Sequence, residues 1–448
     1  MMRILHGDVM SFCRHYRGPK FHALLCDPPY SLGFMGKDWD HDIAFHPETW
    51  AALAEHLHPG AFGMAFGSAK GWHRLAVAIE DAGLQIHPSI FGWSFGSGFP
   101  KATRIDTQID AAAGAERGVV GKKTGRAASP VQDIRGGSYA GGHGVNSGID
   151  CSAITAPATD LARTWEGHRY GRQALKPALE PIIVFQVPYK GKPVESIVKT
   201  GAGALNIDGG RIASELSEGR TRHGGGVPGA GTSFELLDSH GEMPSGRWPA
   251  NFYLDAEGAR RLGEQSGERE SRPVKPYVRS SDRYYSGAWP DSHGGGFSDT
   301  GTAARFFFNV NCQLDEADPV LYCAKASRKE RDAGLDCGDG RGLKAHPTMG
   351  SGIGGQPNQL MVNNRNHHPT VKPIDLARWL ATLLLPPAEY APRRILVPFS
   401  GSGSEMIGAH LAGWEQIIGI ENEAEYVEIA RARTDYWARR PVQLELIA

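Results

Sequence analysis

Asp27-Pro28-Pro29-Tyr30 is the stretch of this chain whose residue types best suit chemistry. An exocyclic amine on adenine or cytosine is a poor nucleophile, because its lone pair is delocalised into the ring. If Asp27 and a neighbouring backbone carbonyl accept the two amine hydrogens, the nitrogen can turn its lone pair towards an incoming methyl group. Pro28 and Pro29 lack backbone donors and fix φ, so the carbonyls are held in one orientation before any reaction. Tyr30 offers an aromatic face on which a base rotated out of a duplex can stack. Such chemistry needs neither a metal nor a covalent nucleophile. Asp-Pro-Pro can also be nothing more than a stiff turn, and its position argues otherwise. HALLC (His22 to Cys26) reads as a buried strand, which puts the tetrad at a strand's carboxyl end, where open α/β sheets form their sites.

A second group lies near the other end of the chain. Pro398-Phe399-Ser400-Gly401-Ser402-Gly403 follows the apolar run ILV and precedes a helical pattern, so its glycines let the backbone approach a ligand closely. A lone GxG is weak, but Glu421 ends the next predicted strand about 20 residues further on, the spacing at which an acid can bind both ribose hydroxyls of a nucleoside. A nicotinamide-dependent dehydrogenase shares that geometry, yet its third glycine would fall at Met406 and no hydride-transfer site is visible. An adenosyl ligand without a pyrophosphate fits better. Gly7-Asp8, taken locally, reads as an ordinary turn.

The elements that must position these groups are βα units. The N-terminal part predicts a strand at His22 to Cys26, a helix over Pro47 to Leu57, a strand over Ala61 to Phe66, a helix over Lys70 to Ala82 and one strand over Gln85 to Trp93. The same texture returns at the C-terminal end: a helix over Ile374 to Leu385, a strand over Arg393 to Val397, a helix over Glu405 to Ala412, a strand over Gln416 to Glu421 and a helix over Glu423 to Arg433. Between them runs a Gly/Ser/Arg-rich region broken by one clear strand, Pro181 to Val187. Glycine makes up 58 of 448 residues, nearly twice the usual share of about 7%, and its concentration there leaves Arg104 to Thr164 open to disorder. Ser196 to Ala324 carries enough aromatic residues for a small core.

Lys and Arg number 48 against 49 Asp and Glu, so no global field draws the molecule to nucleic acid, and any such contact needs a local basic surface. Six widely spaced cysteines without a CxxC pair argue against a zinc ribbon or a disulfide scaffold and fit a reducing cytoplasm. No run approaches the roughly 20 apolar residues of a membrane span, and MMRILHGDVM lacks the form of a signal peptide, so a soluble cytoplasmic protein is expected.

With Asp27 to Tyr30 placed before Phe399 to Gly403, the sequence resembles the β-class amino-DNA methyltransferases (adenine-N6 and cytosine-N4), in particular phage-like members. The likeness covers both chain ends. NHHPTVKPIDLARWL (Asn366 to Leu380) resembles the family's segment beside the methionine part of the cofactor, PFSGSG its cofactor loop, Glu421 its ribose-binding acid, and Gly7-Asp8 the turn whose acid reaches the cofactor adenine. FMGKDWD (Phe34 to Asp40) and WSFGSGFPKA (Trp93 to Ala102) look like segments of phage-borne members, and ALKPALEPIIVF (Ala174 to Phe185) is similar to the strand closing the catalytic sheet. One position departs from the pattern: where the family usually has an acid before the Pro-Phe, this chain has Val397.

The resemblance implies an α/β, Rossmann-like, S-adenosylmethionine-dependent methyltransferase sheet, circularly permuted, with an inserted target-recognition domain. The expected division is 1–103 catalytic, 104–173 a Gly-rich insert, 174–189 the closing strand, 190–365 target recognition and 366–448 cofactor binding. Asp27, Pro28, Pro29 and Tyr30 are the expected catalytic residues. Asp8, Thr370, Lys372, Phe399, Gly401, Gly403 and Glu421 are expected to hold S-adenosylmethionine, and no metal is expected. Double-stranded DNA is the expected partner, with a homodimer and a separate restriction endonuclease left open, since no nuclease motif is present. Adenine N6 is the expected target because, in the resembling family, Asp at the first tetrad position goes mostly with adenine. Cytosine N4 is the alternative, and a non-catalytic DNA-binding relative is the rival from another class. Candidate DNA contacts are the clusters Arg117, Lys122, Lys123, Arg126 and Lys325, Arg328, Lys329, Arg331. Arg220, Arg222, Arg247, Arg272 and Arg279 are candidate base readers.

Overall fold

The computed structural model describes residues 1–31, 41–95, 100–122, 153–175, 177–212, 247–270, 299–310, 326, 328–335, 366–368 and 370–439. The described residues fall into two compact units, one within Gly98–Pro177 and the other made of those within Met1–Ser97, Ala178–Ala345 and Asn364–Ala448.

The larger unit begins with β1 (Met2–His6) and α1 (Val9–His15), whose N-cap Asp8 accepts a hydrogen bond from the Ser11 N–H at 2.8 Å. β2 (Phe21–Cys26) is buried at every position, as a continuous apolar run in an interior parallel strand should be. α2 (Pro47–Ala54) opens on proline, whose missing N–H has no intrahelical bond to lose. β3 (Leu57–Phe66) and α3 (Trp72–Asp81) follow. The single strand expected over Gln85 to Trp93 is two, β4 (Gln85–Ile86) and β5 (Phe91–Ser94), because Pro88 cannot donate to a ladder.

The Gly98–Pro177 unit contains β6 (Lys101–Arg104), α4 (Ile105–Ala112), β7 (Val119–Lys122), β8 (Ala153–Thr155), α5 (Asp160–Thr164) and β9 (Arg169–Gln173). β6 pairs antiparallel with β9, and β7 with β8. Its apolar content is low, and an ion cluster ties it together. Arg117 bridges Asp106, at 2.8 Å, and Asp110, while Asp110 also accepts from the Ala158 N–H, the Thr159 N–H and the Thr159 hydroxyl at 2.9, 3.0 and 2.8 Å. Of the stretch left open to disorder, the described parts are therefore folded.

The chain then returns to the larger unit through β10 (Leu179–Gln186), α6 (Pro193–Thr200), β11 (Phe252–Asp255), α7 (Ala256–Ser266), β12 (Arg269–Glu270), β13 (Thr300–Gly301), β14 (Phe308–Val310) and α8 (Arg328–Asp332). It ends with α9 (Ile374–Leu384), β15 (Arg394–Pro398), α10 (Ser404–Ala412), β16 (Gln416–Glu421) and α11 (Ala424–Ala438). The main sheet runs β1-β16-β15-β2-β3-β10-β5-β11-β14, with β4 also paired to β10. It is mixed and mostly parallel: β10 alone in that order is antiparallel to its neighbours, β3 and β5. β10, expected to close the sheet, thus lies inside it, and the described strands β11 and β14 of the 190–365 segment extend the same sheet.

Alternate residues of β2 face opposite layers. Ala23 and Leu25 join a core with Leu376, Leu380, Met406 and Val427, whereas Leu24 and Cys26 join one with Val9, Trp50, Leu53 and Leu75. Helices therefore cover both faces, α9 to α11 on one side and α1 to α3 on the other. α10 lies so close to α9 that a Cβ on Gly408 would fall 2.5 Å from the Arg378 nitrogen. Because β1, β16, β15, β2 and β3 are parallel, the turns after β1, β2, β15 and β16 emerge along one edge of the sheet.

Candidate active site

Those four turns build the site. The Gly7 N–H donates to the Glu421 carbonyl at 2.9 Å, tying the Gly7-Asp8 turn to the end of β16. Leaving β15, the chain bends sharply: Phe399 adopts φ 58, a left-handed conformation that a non-glycine residue rarely takes, and Gly401 follows with φ +50. A Cβ on Gly401 would come within 2.8 Å of His368 Nε2, so this position has no room for a side chain. The Gly401 N–H donates to Glu421 Oε2 at 2.7 Å and the Glu423 N–H to Oε1 at 2.9 Å, which fixes the carboxylate against the loop. From behind, the buried Arg433 of α11 donates to the Ser402 carbonyl at 2.6 Å, to Ser402 Oγ at 2.9 Å and to Ser404 Oγ at 3.2 Å.

Across from this loop, Tyr30 donates its hydroxyl hydrogen to Asp27 Oδ1 at 2.6 Å, and Lys372 forms an ion pair with Asp27 Oδ2. The Lys372 ammonium also lies 3.3 Å from the Tyr30 oxygen and 3.7 Å from Glu180 Oε2, and sits 4.9 Å from the Phe66 ring centre. Lys372 is thus joined to the tetrad itself, in addition to standing beside the loop. Burial, then the neighbouring Asp27 carboxylate, pushes the Tyr30 hydroxyl well above its usual range and keeps it a donor.

Two further groups have displaced titrations. Burial, together with Arg331, Lys372, Arg433 and His367, holds His368 down to about 3, so its ring is neutral near pH 7. Burial and Asp27 raise Glu405 to about 7, against the opposing pull of Lys372 and Arg433.

Every site residue expected from the sequence except Gly403 lines one cleft, which encloses about 990 Å³ including its mouth. Gly403 acts instead at the N-cap of α10, with φ +83 and a backbone packed so that a Cβ would come 3.3 Å from that of Ala430. Val397, where the resembling family usually has an acid, is fully buried in the apolar core. The cleft also recruits His368, Glu405 and Tyr426, which the sequence reading did not single out. Nothing in the sequence connects His368 or Arg433 to Gly401 or Ser402.

Three arginines proposed for DNA contact are engaged inside the protein. Arg117 is held by Asp106 and Asp110, Arg247 is buried against Asp299, and Arg331 donates to the carbonyls of His368, at 2.7 Å, and Asn366, at 3.4 Å. Lys123, Arg126, Arg220, Arg222, Arg272, Arg279 and Lys325 lie outside the described residues, as do the side chains of Lys122, Arg328 and Lys329, the whole of FMGKDWD and the middle of WSFGSGFPKA, residues 96–99. Among the described residues no helix is long and apolar enough to cross a membrane, and no group of three His, Cys, Asp or Glu side chains is placed to hold a metal ion.

The fold and the cleft define an α/β protein in which a glycine-bearing loop after β15 shares one cleft with an Asp-Pro-Pro-Tyr turn. No family model matches the chain, and no curated protein matches it. Among solved structures it is similar to the S-adenosylmethionine complex of M1.HpyAVI, at 12% identity over 97% of this chain and 100% of that one, with a TM-score of 0.36. It is also similar to the cytosine-N4-specific PvuII DNA methyltransferase, at 11% identity over 98% of this chain and 92% of that one, with a TM-score of 0.38. The geometry of the cleft, and not these likenesses, carries the functional reading.

Proposed function

We propose that this chain is an S-adenosylmethionine-dependent DNA methyltransferase acting on the exocyclic amine of a base rotated out of the duplex, with adenine N6 as target. One observation carries this reading: the Asp27–Tyr30 turn and the Phe399–Gly401 loop, with its acid Glu421, line the same cleft. The donor set suits the cofactor. A carboxylate has about four lone-pair sites, so Glu421 keeps acceptor capacity for ribose hydroxyls beyond its bonds from Gly401 and Glu423. Asp8 caps α1 through Oδ1, which leaves Oδ2 for the adenine amine. Thr370 and Lys372 line the same cleft, Lys372 against Asp27, and on the family resemblance suit the methionine portion.

When bound, S-adenosylmethionine supplies an electrophilic methyl group. The chain's own residues prepare the amine. Tyr30 and Lys372 occupy the two oxygens of Asp27, so an incoming amine takes over an acceptor site and releases the Tyr30 ring to stack on the base. Pro28 and Pro29 hold the neighbouring carbonyl in place for the second amine hydrogen. Methyl transfer from the cofactor would leave the nitrogen with a proton to shed, and Asp27 is the carboxylate placed to accept it. Asp at the first tetrad position favours adenine on the family resemblance, and cytosine N4 is the alternative. Double-stranded DNA is the proposed partner, and phosphate contacts fall to cations other than Arg117, Arg247 and Arg331.

The test is nucleoside mass spectrometry with modification-sensitive sequencing of DNA from a methylation-free host that expresses the protein or its Asp27→Ala variant. N6-methyladenine at a defined motif, absent from the variant, is expected. N4-methylcytosine would move the target to cytosine. Unmodified DNA from a folded, soluble protein would sink the methyltransferase reading.

A further inference from the structure

Charge in the cleft is unbalanced. Asp8, Asp27, Glu405 and Glu421 line it, and Lys372 is the one lysine or arginine among its described lining residues. The ion pairs of that lysine go to Asp27 and Glu180. Asp27, Asp8 and Glu421 have work in the proposal above, whereas Glu405 has none.

Glu405 sits in the first turn of α10, directly behind the loop, and is 3% exposed. Arg433 reaches the same turn, but its bonds go to Ser402, to Ser404 and to the Glu330 carbonyl. Among the described residues no ion pair joins Glu405 to Lys372 or to Arg433. At the end of β15, Val397 offers no charge in its place. The influence of Glu405 is felt next to the tetrad: after burial and Asp27, it adds to the upward push on both the Tyr30 hydroxyl and the Cys26 thiol. A methyl group delivered to an amine held by Asp27 would have to come from a sulfur held within the same cleft.

We propose that Glu405 faces the sulfonium of S-adenosylmethionine and makes the cleft prefer the methyl donor to its neutral product, S-adenosylhomocysteine. The inference rests on the function proposed above. Both ligands carry the same adenosine, ammonium and carboxylate, so the difference in their affinities isolates the charge on sulfur. After transfer that charge is gone, and product leaves a site that no longer attracts it.

Calorimetric titration of the full chain with both ligands tests this. The wild type should bind the donor more tightly than the product. Glu405→Gln should weaken the donor by roughly ten- to a hundredfold and leave the product nearly unchanged. Glu405→Asp, which keeps the charge, should retain much of the preference. A wild-type measurement needs no variant. The titratable and charged groups whose fields couple to Glu405 are Asp27, Tyr30 and Cys26 at and after the end of β2, Lys372 ahead of α9, and Arg433 from α11. A ligand cation lowers the titration point of Glu405 from about 7, so donor binding at pH 6 should release a proton, visible as a buffer-dependent enthalpy, and product binding should not. Equal losses for both ligands in Glu405→Gln would assign the carboxylate to the shared ammonium and overturn the proposal, as would donor binding without proton release. A folded wild type that binds neither ligand would instead overturn the functional reading, and this inference with it.

Discussion

Two clusters of shielded carboxylates, one in each unit, behave in opposite ways. In the Gly98–Pro177 unit Asp110 is removed from solvent, and burial alone would raise it. Hydrogen bonds from Ala158 and Thr159 and the guanidinium of Arg117 outweigh that and hold it down to about 2. In the cleft, Glu405 is just as hidden, has no such set of donors, and is pushed up to about 7. A saturated carboxylate is a fastener, because every lone pair already has its partner. An undersaturated one destabilises the free protein and becomes useful when a ligand brings the missing charge.

The largest expected effect breaks the cleft side of this contrast. Asp27→Ala should lower methyl transfer by about 10² to 10³-fold or more, since it removes the acceptor that orients the amine, while donor affinity measured by calorimetry stays close to wild type. A comparable fall in affinity would show that Asp27 serves the cofactor and not the base.

Next in size is a stability effect of opposite sign in the two clusters. Folded Glu405 binds its proton more tightly than an unfolded glutamate does, so in the ligand-free protein its contribution falls as pH rises from the ordinary 4.5 towards about 7. Glu405→Gln should therefore be more stable than wild type at pH 8, by about 3 kcal/mol at most, even as donor binding weakens. Thermal denaturation at pH 5 and pH 8 checks this, and a variant that is less stable at both would show that the carboxylate is a structural anchor. Asp110 runs the other way. Its stabilising contribution is complete above the ordinary 3.8 and is lost as pH falls towards about 2. Protection of Ile105–Ala112 against hydrogen exchange, taken relative to the intrinsic amide rate at each pH, should fall across that acid range, and Arg117→Ala should lower it already at neutral pH. Unchanged exchange in Arg117→Ala would remove the ion cluster from the account of why this unit folds.

The same contrast explains what the sequence could show. Asp27 to Tyr30, Phe399 to Gly403 and Glu421 were legible because each ends or directly follows an apolar strand, and parallel strands bring their carboxyl ends together. Strand β16 and helix α9 match the expected spans within a residue, since their apolar patterns are long and regular. The split at Pro88 and the interior place of β10 were not legible, because pairing partners far along the chain decide them. Arg117, Arg247 and Arg331 looked like DNA contacts for the same reason. Their partners lie 7 and 11, 52, and 35 and 37 residues away, and charge composition does not reveal who pairs with whom. Glu405 was hidden in plain view, as an acid in the first turn of a helix, where acids are common for reasons of the helix dipole alone.

Asp8 gives the smallest and sharpest test, because one carboxylate is assigned two tasks through two oxygens. Oδ1 caps α1 by accepting from the Ser11 N–H, and Oδ2 is proposed to accept from the cofactor adenine. Asparagine is as good a cap as aspartate, whereas alanine is not, so Asp8→Ala should cost about 1 kcal/mol of stability and Asp8→Asn almost none. Cofactor binding should separate the variants differently. Asparagine can still present its carbonyl oxygen to Ser11, but it then turns an amide N–H2 towards the adenine amine, setting donor against donor. Asp8→Asn should therefore melt like the wild type and bind S-adenosylmethionine more weakly, while Asp8→Ala loses on both measurements. If Asp8→Asn matches the wild type in melting and in affinity alike, Asp8 is a helix cap and nothing more, and it belongs with the saturated fasteners of the molecule.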